Sequence, residues 1–474
     1  MLDTRVCERA RCARDARFDG RFYTGVVTTG VYCRPVCPAA SRARPENVRY
    51  FVSAAAASAA GYRPCLRCRP ETAPGQPRTG TERAVARALE LIETGHLAEC
   101  GIGALAGAVG LSERQLHRAF TRDLGVSPKA YADHQRLQFA RQLLAETTLP
   151  VTDVAMAAGF GSLRRFNDAF RTAFDLPPGR LRGGGGQHPG NGVRLRLAYR
   201  PPLDWAAAMA FRKSRAVPGV EYVDGLTYRR SIVAGERPGW IEISPSRPGN
   251  ALRASIHHPE PRQLRAIVAR IRFQFDLDVN MDAVHADLGR DPLLAGLLAG
   301  APGLRLPCAW APFELAVRAV LGQQVSVKAA TTLAGRLVER FGAPLEDAPR
   351  GVSRMFPTAG ALATADLDGI GLTGRRARTL RALAAAVADD PALLDAAPSA
   401  EAFAERLCAL PGIGPWTAAY VAMRGHGEPD AFPAADLGLM KALAARRSRE
   451  VEARAEAWRP WRAYAAIHLW HSLG

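Results

Sequence analysis

Between Gly183 and Gly192 the chain reads GGGGQHPGNG. No packed helix or strand tolerates such a run, because glycine costs backbone entropy and proline removes a hydrogen-bond donor. A shorter break of the same character, TAPGQPRTG, spans Thr72 to Gly80. The 474 residues therefore divide into blocks joined by linkers. Residues 1–72, 81–182 and 193–474 form the three blocks, with 183–192 as the flexible connection. The last block changes character at about residue 280, from strand-like to Ala/Leu-rich and helical.

Hydrophobic residues make up 48% of the chain and charged ones 23%, enough for each block to bury a core. Lys and Arg outnumber Asp and Glu by 63 to 45, for a net charge of +18. Residues 1–72 carry +7 of that and 81–182 only +2, so the surplus lies mainly in the first and third blocks. Such a balance suits a polyanion, nucleic acid above all. No apolar run reaches 18 residues, so no membrane span is expected. The polar start, MLDTRVCERARCARD, is not a signal peptide, and a cytoplasmic protein is expected.

Four of the nine cysteines fall in two close pairs, Cys33-x3-Cys37 and Cys65-x2-Cys68. Without a signal sequence that pattern reads as reduced thiols and a metal site. Four thiolates from two tight turns close a tetrahedral Zn²⁺ site, and a block of about 70 residues needs the folding energy one supplies. On spacing alone, a zinc knuckle without chemistry fits equally well.

The surrounding residues narrow this. RDARFDG (14–20), TTGVYCRPVCP (28–38) and GYRPCLRCRPE (61–71) closely resemble the N-terminal domain of the Ada family, bacterial regulators of the response to alkylation. The resemblance implies a small zinc-bound α/β domain over 1–72. It also implies that Cys33, a ligand, is the nucleophile that takes a methyl group from a methylated DNA phosphate. Zinc keeps sulfur in the reactive thiolate form, and four thiolates leave the centre near −2, so the sulfurs stay electron-rich. Methylation brings it to about −1, which eases approach to neighbouring phosphates and turns repair into a signal. No residue is placed to regenerate Cys33. The second Ada methyltransferase motif, Pro-Cys-His-Arg, does not occur.

Residues 81–182 are helical by periodicity, with Leu116, Phe120 and Leu124 repeated in kind as Phe166, Phe170 and Phe174. VGLS at 109–112 and AGFGS at 158–162 are matched Gly turns, each ending in a serine N-cap, and Ser112-x-x-Gln115 fits a capping box. Helix, turn, helix, occurring twice, resembles the AraC-type DNA-binding domain that Ada proteins carry in the same place. Its recognition helices would start at Ser112 and Ser162. They leave Arg114, Gln115 and Arg118, with Glu113, His117 and Arg122, outward on the first. Arg164, Arg165 and Asn167, with Arg171, point outward on the second. Arg and Gln/Asn read guanine and adenine edges, although any one of these could be an ordinary solvated side chain.

Val193–Leu197, Tyr222–Val233 and Trp240–Ile243 alternate as strands, so 193–279 reads as α+β. LPGIG at 410–414 is a helix-hairpin-helix turn, whose Gly412 and Gly414 let backbone amides approach a phosphate. The stretches YRPPLDW (199–205), LGQQVSV (321–327), LPGIGPWTAAY (410–420), FPAADLG (432–438) and WRPWRAYAAIHLW (458–470) resemble 3-methyladenine DNA glycosylase II, the AlkA type. That resemblance covers nearly all of 193–474. It implies a TATA-binding-protein-like α+β subdomain over 193–279 and an all-α helix-hairpin-helix glycosylase domain over 280–474. By motif position Asp436 is the catalytic carboxylate. Trp416, Tyr420 and Trp470 match pocket aromatics, with Trp205 and Phe211 beside them. An electron-rich ring face suits an electron-poor cationic base. For Asp436 a helix N-cap is the plain alternative, and for Trp470 a place in the core. The intercalating wedge, Leu in the familiar pattern, is Gln324 here. A bifunctional enzyme of this superfamily carries a lysine two residues beyond the hairpin glycine; that place holds Trp416, so water is the expected attacking group.

The resemblances imply double-stranded DNA, alkylated and promoter, as partner, RNA polymerase as protein partner, and a monomer. A fused alkylation-response protein is preferred to two alternatives. One is a regulator whose glycosylase-like part only binds DNA, against which Asp436 and the aromatics argue. The other is a glycosylase with a mere targeting front end, against which the context of Cys33 argues.

Overall fold

The computed structural model describes residues 3–73, 83–93, 95–182, 192–247, 249–397 and 399–473. Most of both linkers, 74–80 and 183–191, lies outside the described residues. The chain forms two compact units. One comprises 1–201, 246–272 and 277–280; the other comprises 202–245, 273–276 and 281–474.

The first unit begins with the helix Thr4–Ala13, capped by Asp3, whose carboxylate accepts from the amides of Arg5 and Val6. Thr24–Tyr32, one strand with a glycine break by sequence, folds as two strands, Tyr23–Val26 and Val31–Cys33. The turn between them places Gly30 at φ +62°. These pair antiparallel with Thr24 opposite Cys33. Val48–Phe51 flanks one side antiparallel and Arg63–Pro64 the other in parallel. Ser53 caps the helix Ala54–Ala59, and its hydroxyl also donates to the carbonyl of Leu124 at 2.8 Å.

Next come six helices: Arg83–Glu93, His96–Ala108, Glu113–Leu124, Pro128–Glu146, Val151–Ala157 and Leu163–Phe174. The capping box at Ser112 and Gln115 is formed, and Ser162 caps the sixth helix. Leu116, Phe120, Leu124, Phe166, Phe170 and Phe174 are all buried, so the helical period does set the inward faces. Gly110 and Gly159, at φ +71° and +78°, make the two turns. Within the same unit Val193–Ala198 pairs antiparallel with Ala251–His257.

The second unit holds the helix Trp205–Lys213 and an antiparallel meander of Glu221–Asp224, Thr227–Ala234 and Arg237–Ser246. Tyr222–Val233 thus turns once, at Gly225. From Met281 to His471 it is helical. Ala400–Cys408 and Pro415–Gly425, the two arms of the hairpin, pack on each other, and the second also packs on Pro312–Leu321. Leu437–Ala442 lies against Arg462–His471, which brings together side chains more than thirty residues apart. No helix among the described residues is long and apolar enough to cross a membrane.

Candidate active sites and nucleic-acid interface

The first site is made by strand ends. Cys33 closes the strand Val31–Cys33, and Cys37 lies in the turn that follows, its amide on the carbonyl of Arg34. The amide of Cys65 donates to the carbonyl of Tyr32 at 2.9 Å, which sets the second pair against the first. The four sulfurs lie within 4.8 Å of one another. No imidazole or carboxylate joins them in that group. An all-thiolate donor set of this size fits a tetrahedral zinc ion. Cys33 is 3% exposed and Cys37 is fully buried, whereas Cys68 is half-buried, the most open of the four. The amide of Arg34 donates to the Cys68 sulfur at 3.4 Å, and its guanidinium pairs with the buried Asp19.

Behind this centre runs the long helix Pro128–Glu146. Arg141, 3% exposed, donates to the carbonyl of Cys65 at 3.0 Å. It also lies 2.9 Å from the carboxylate of Glu71, itself 1% exposed, as an ion pair without hydrogen-bond alignment. One turn earlier Gln138 donates to the hydroxyl of Tyr32 at 3.0 Å. The residues beside two cysteines are thus tied to the helix that joins the two helix-turn-helix units.

On the recognition helices Arg114, Gln115, Arg118, Arg164 and Arg165 are exposed and Asn167 is half-buried. Gln115 is committed locally: its Oε1 accepts from the Ser112 amide at 2.9 Å. It caps the helix, and only its amide nitrogen is left for another partner. Arg122 pairs with Asp123.

The second site gathers at the hairpin. Gly412 stands at φ +81°, and a Cβ there would lie 2.0 Å from the Thr379 hydroxyl, so no other residue fits. Gln323 donates to the Gly412 carbonyl at 3.1 Å. Gly414 caps the next helix with open space around it. Trp416 and Tyr420, four apart and on one face, stack at 5.1 Å with 11° between planes. Asp436 caps the helix Leu437–Ala442: Oδ1 accepts from the amides of Gly438 and Leu439 at 2.9 and 3.1 Å. Oδ1 also accepts from the Trp470 indole at 2.8 Å, and Oδ2 from the Trp416 indole at 2.9 Å. The N-cap and the site are one arrangement, and a carboxylate so held has a single orientation. Tyr420 and Trp470 meet edge to face at 6.3 Å. All four side chains are half-buried, open to solvent on one side.

Phe211 reaches this group indirectly, through Arg424, whose guanidinium lies 5.0 Å from its ring and 5.1 Å from that of Tyr420. Trp205 does not join it. Only 8% exposed, it packs on Phe275 at 4.9 Å and gives its indole N–H to the Leu226 carbonyl; the expectation of a pocket wall gives way to a core residue. Trp470 is no core tryptophan, since its indole serves Asp436. Gln324 is exposed at φ +56°, a left-handed conformation that side chains other than glycine adopt at a cost. It is thereby presented at the loop tip. Two neighbours escaped the sequence reading. Leu437, directly after Asp436, is 80% exposed. Arg424 lies on the Tyr420 face of its helix, a four-residue spacing that was visible in the sequence.

Four known domain families match along the chain. The metal binding domain of Ada matches residues 6–71 and a helix-turn-helix domain 105–184. The AlkA N-terminal domain matches 194–311, and the HhH-GPD superfamily of base excision DNA repair proteins 317–462. The fold and both sites thus define a DNA-repair protein joined to a helix-turn-helix regulator. A probable bifunctional transcriptional activator/DNA repair enzyme AlkA of Mycobacterium tuberculosis is 42% identical over 99% of this chain and 97% of its own length. The chain belongs to this family of fused activator and repair proteins. DNA-3-methyladenine glycosylase 2 of Escherichia coli is 34% identical over 59% of this chain and 97% of its own. The 3-methyladenine DNA glycosylase structure from Archaeoglobus fulgidus shares the fold, with a TM-score of 0.52 and 24% identity over 58% of this chain and 96% of its own. The four cysteines are the zinc site of the Ada-type domain.

Proposed function

We propose that the chain repairs alkylated DNA in two ways and uses one of them as a signal. In the second unit it excises alkylated purines such as 3-methyladenine by hydrolysis. The observation that carries this is the carboxylate of Asp436 held between two indoles, with Tyr420 stacked on one of them. A flipped base stacks on the aromatic faces. Asp436 stabilises positive character at the sugar and orients water, which attacks C1′ as the bond to the base breaks. An already cationic base leaves with its electron pair and needs little acid help. Lys441 stands five residues beyond Asp436, the N-cap of its helix, about 7–8 Å along the axis, so the product is an intact abasic site. Gln324 fills the gap left in the stack, and the hairpin amides at Gly412 and Gly414 hold the backbone.

In the first unit Cys33 Sγ attacks the methyl carbon of a phosphotriester. The C–O bond breaks, the phosphate leaves as a diester anion, and a thioether remains. Zinc, when bound, supplies the thiolate form. Arg114, Arg118, Arg164, Arg165 and Asn167 read promoter DNA, which methylation makes bind more tightly. RNA polymerase is the protein partner, and the protein acts as a monomer in the cytoplasm.

One experiment tests both halves. Methylated DNA is incubated with wild type, Asp436→Asn and Cys33→Ser, and base release and peptide masses are followed. Asp436→Asn is expected to lose base release by about a thousandfold while Cys33 still gains a methyl group. Cys33→Ser is expected to do the reverse. A methyl group on Cys68, the more exposed sulfur, or base release by Asp436→Asn near the wild-type rate, defeats the corresponding half.

A further inference from the structure

Behind the aromatic face of the second site lies an uneven set of buried and half-buried charges. Arg230 and Arg318 are balanced by Glu314 and Glu221, at 2.7 to 3.2 Å. Arg212, Arg215 and Arg424 have no carboxylate among their described contacts. Arg212 donates to the carbonyl of Gln274 and sits 4.4 Å over Phe275. Arg215 sits 4.0 Å over Phe211. Arg424, 6% exposed, donates to the Pro307 carbonyl at 2.8 Å and to the hydroxyl of Tyr420. Burial lowers the pKa of Arg212, an effect Glu221 offsets in part, and of Arg215. A buried guanidinium lacking a carboxylate is costly. Its retention against a pocket wall asks which negative charge it serves.

Base excision creates one. As the bond between C1′ and the base nitrogen breaks, the electron pair stays on the base while water oxygen bonds to C1′. A cationic alkylated base becomes neutral; a neutral lesion becomes an anion that later takes a proton from solvent. The charge on the base falls by one in either case. A fixed cation beside the base favours that change, yet it opposes the entry of a base that is already positive.

We propose that Arg424, acting through the Tyr420 hydroxyl, is a positioning residue that sets specificity, supporting the electron pair on the departing base and shifting the pocket toward neutral purine lesions. The inference rests on the glycosylase reading above. Tyr420 carries the effect. Its hydroxyl accepts from Arg424 while its ring faces the base, so the guanidinium polarises the wall without touching the substrate. The wall is then less partial to cations than its aromatic content alone suggests. Arg215, over the far ring Phe211, adds to the same field.

The experiment measures kcat and KM, and compares kcat/KM, for release of 7-methylguanine, which is cationic, and hypoxanthine, which is neutral, from otherwise identical duplexes. Wild type, Arg424→Met, Arg424→Lys and Tyr420→Phe are compared. Release of the cationic base by wild type tests the glycosylase reading by itself. Arg424→Met is expected to raise the ratio of cationic to neutral release about tenfold, the scale of one nearby charge at intermediate dielectric. For the cationic base KM and kcat should both fall; for the neutral base kcat alone should fall. Arg424→Lys, which keeps the charge, should return most of the wild-type ratio. Tyr420→Phe keeps the ring and cuts the bridge, so it should shift the ratio the same way even if Arg424→Met does not fold. An equal fall for both bases, an unchanged ratio in Tyr420→Phe, or no hypoxanthine release by wild type overturns the proposal.

Discussion

The cysteine centre and the Asp436 pocket are assembled by opposite means. Cys33, Cys37, Cys65 and Cys68 come from two short turns whose sulfurs would hold one zinc ion, so the fold there depends on the same sulfurs as the proposed chemistry. Asp436 is held by Gly438, Leu439, Trp416 and Trp470, which reach it from three helices already packed for other reasons. Chemistry there can be deleted and the fold kept. The first arrangement suits the single-use methyl acceptor proposed above; the second suits an enzyme that must turn over.

The largest test of this contrast is zinc removal. Structural zinc binding is worth on the order of 10 kcal/mol in small domains, more than a block of this size gains from its core. Chelation is expected to open the strands Tyr23–Val26 and Val31–Cys33 to hydrogen exchange while base release stays within about twofold. Protected strands after complete zinc loss, or base release lost with the metal, would erase the distinction.

A smaller effect probes how the cysteine centre is tied to its surroundings. Arg141→Met takes one of two cations from the Glu71 carboxylate, which keeps Arg69 at 3.0 Å, and takes the donor from the Cys65 carbonyl, at a cost of about 1 kcal/mol. In thermal unfolding followed by hydrogen exchange, protection along Pro128–Glu146 and around Cys65 should fall together, with the helices from Pro312 onward unaffected. Independent loss of the two would show that Arg141 does not join them.

The two sites were also unequally legible in the sequence. The cysteine spacing defines its centre because every ligand lies in one of two tight turns. Asp436, Trp416 and Trp470 were legible as motif positions, but their mutual hydrogen bonds depend on how Leu437–Ala442 packs against Arg462–His471, which no local pattern states. Trp205 looked like a pocket residue by its place in the YRPPLDW stretch; the packing of Phe275 places it in the core. Gln115 was readable both as capping residue and as a reader of DNA; the cap takes its Oε1 and leaves its amide nitrogen for a base edge. Thr24–Tyr32 has strand composition throughout, and only the left-handed Gly30 shows where the strand folds back. Arg424 was the hardest: its four-residue spacing from Tyr420 is plain, but an unbalanced charge is visible only when every neighbour is known.

The finest difference between the sites is graded against all-or-none loss. Removing one sulfur from the cysteine centre leaves three ligands, and Cys37→Ser should lose zinc and fold together. Removing one donor from Asp436 is milder. In Trp470→Phe the aromatic face remains and Oδ1 keeps the amides of Gly438 and Leu439, so the helix cap and the carboxylate orientation survive. One hydrogen bond to a charged acceptor is worth about 1.5 kcal/mol, which is roughly a tenfold slower release of base. Trp470→Phe should therefore excise at about a tenth of the wild-type rate, with melting temperature and methyl transfer to Cys33 unchanged. If it is as inactive as Asp436→Asn, the four donors act as one unit, and the pocket is as brittle as the cysteine centre.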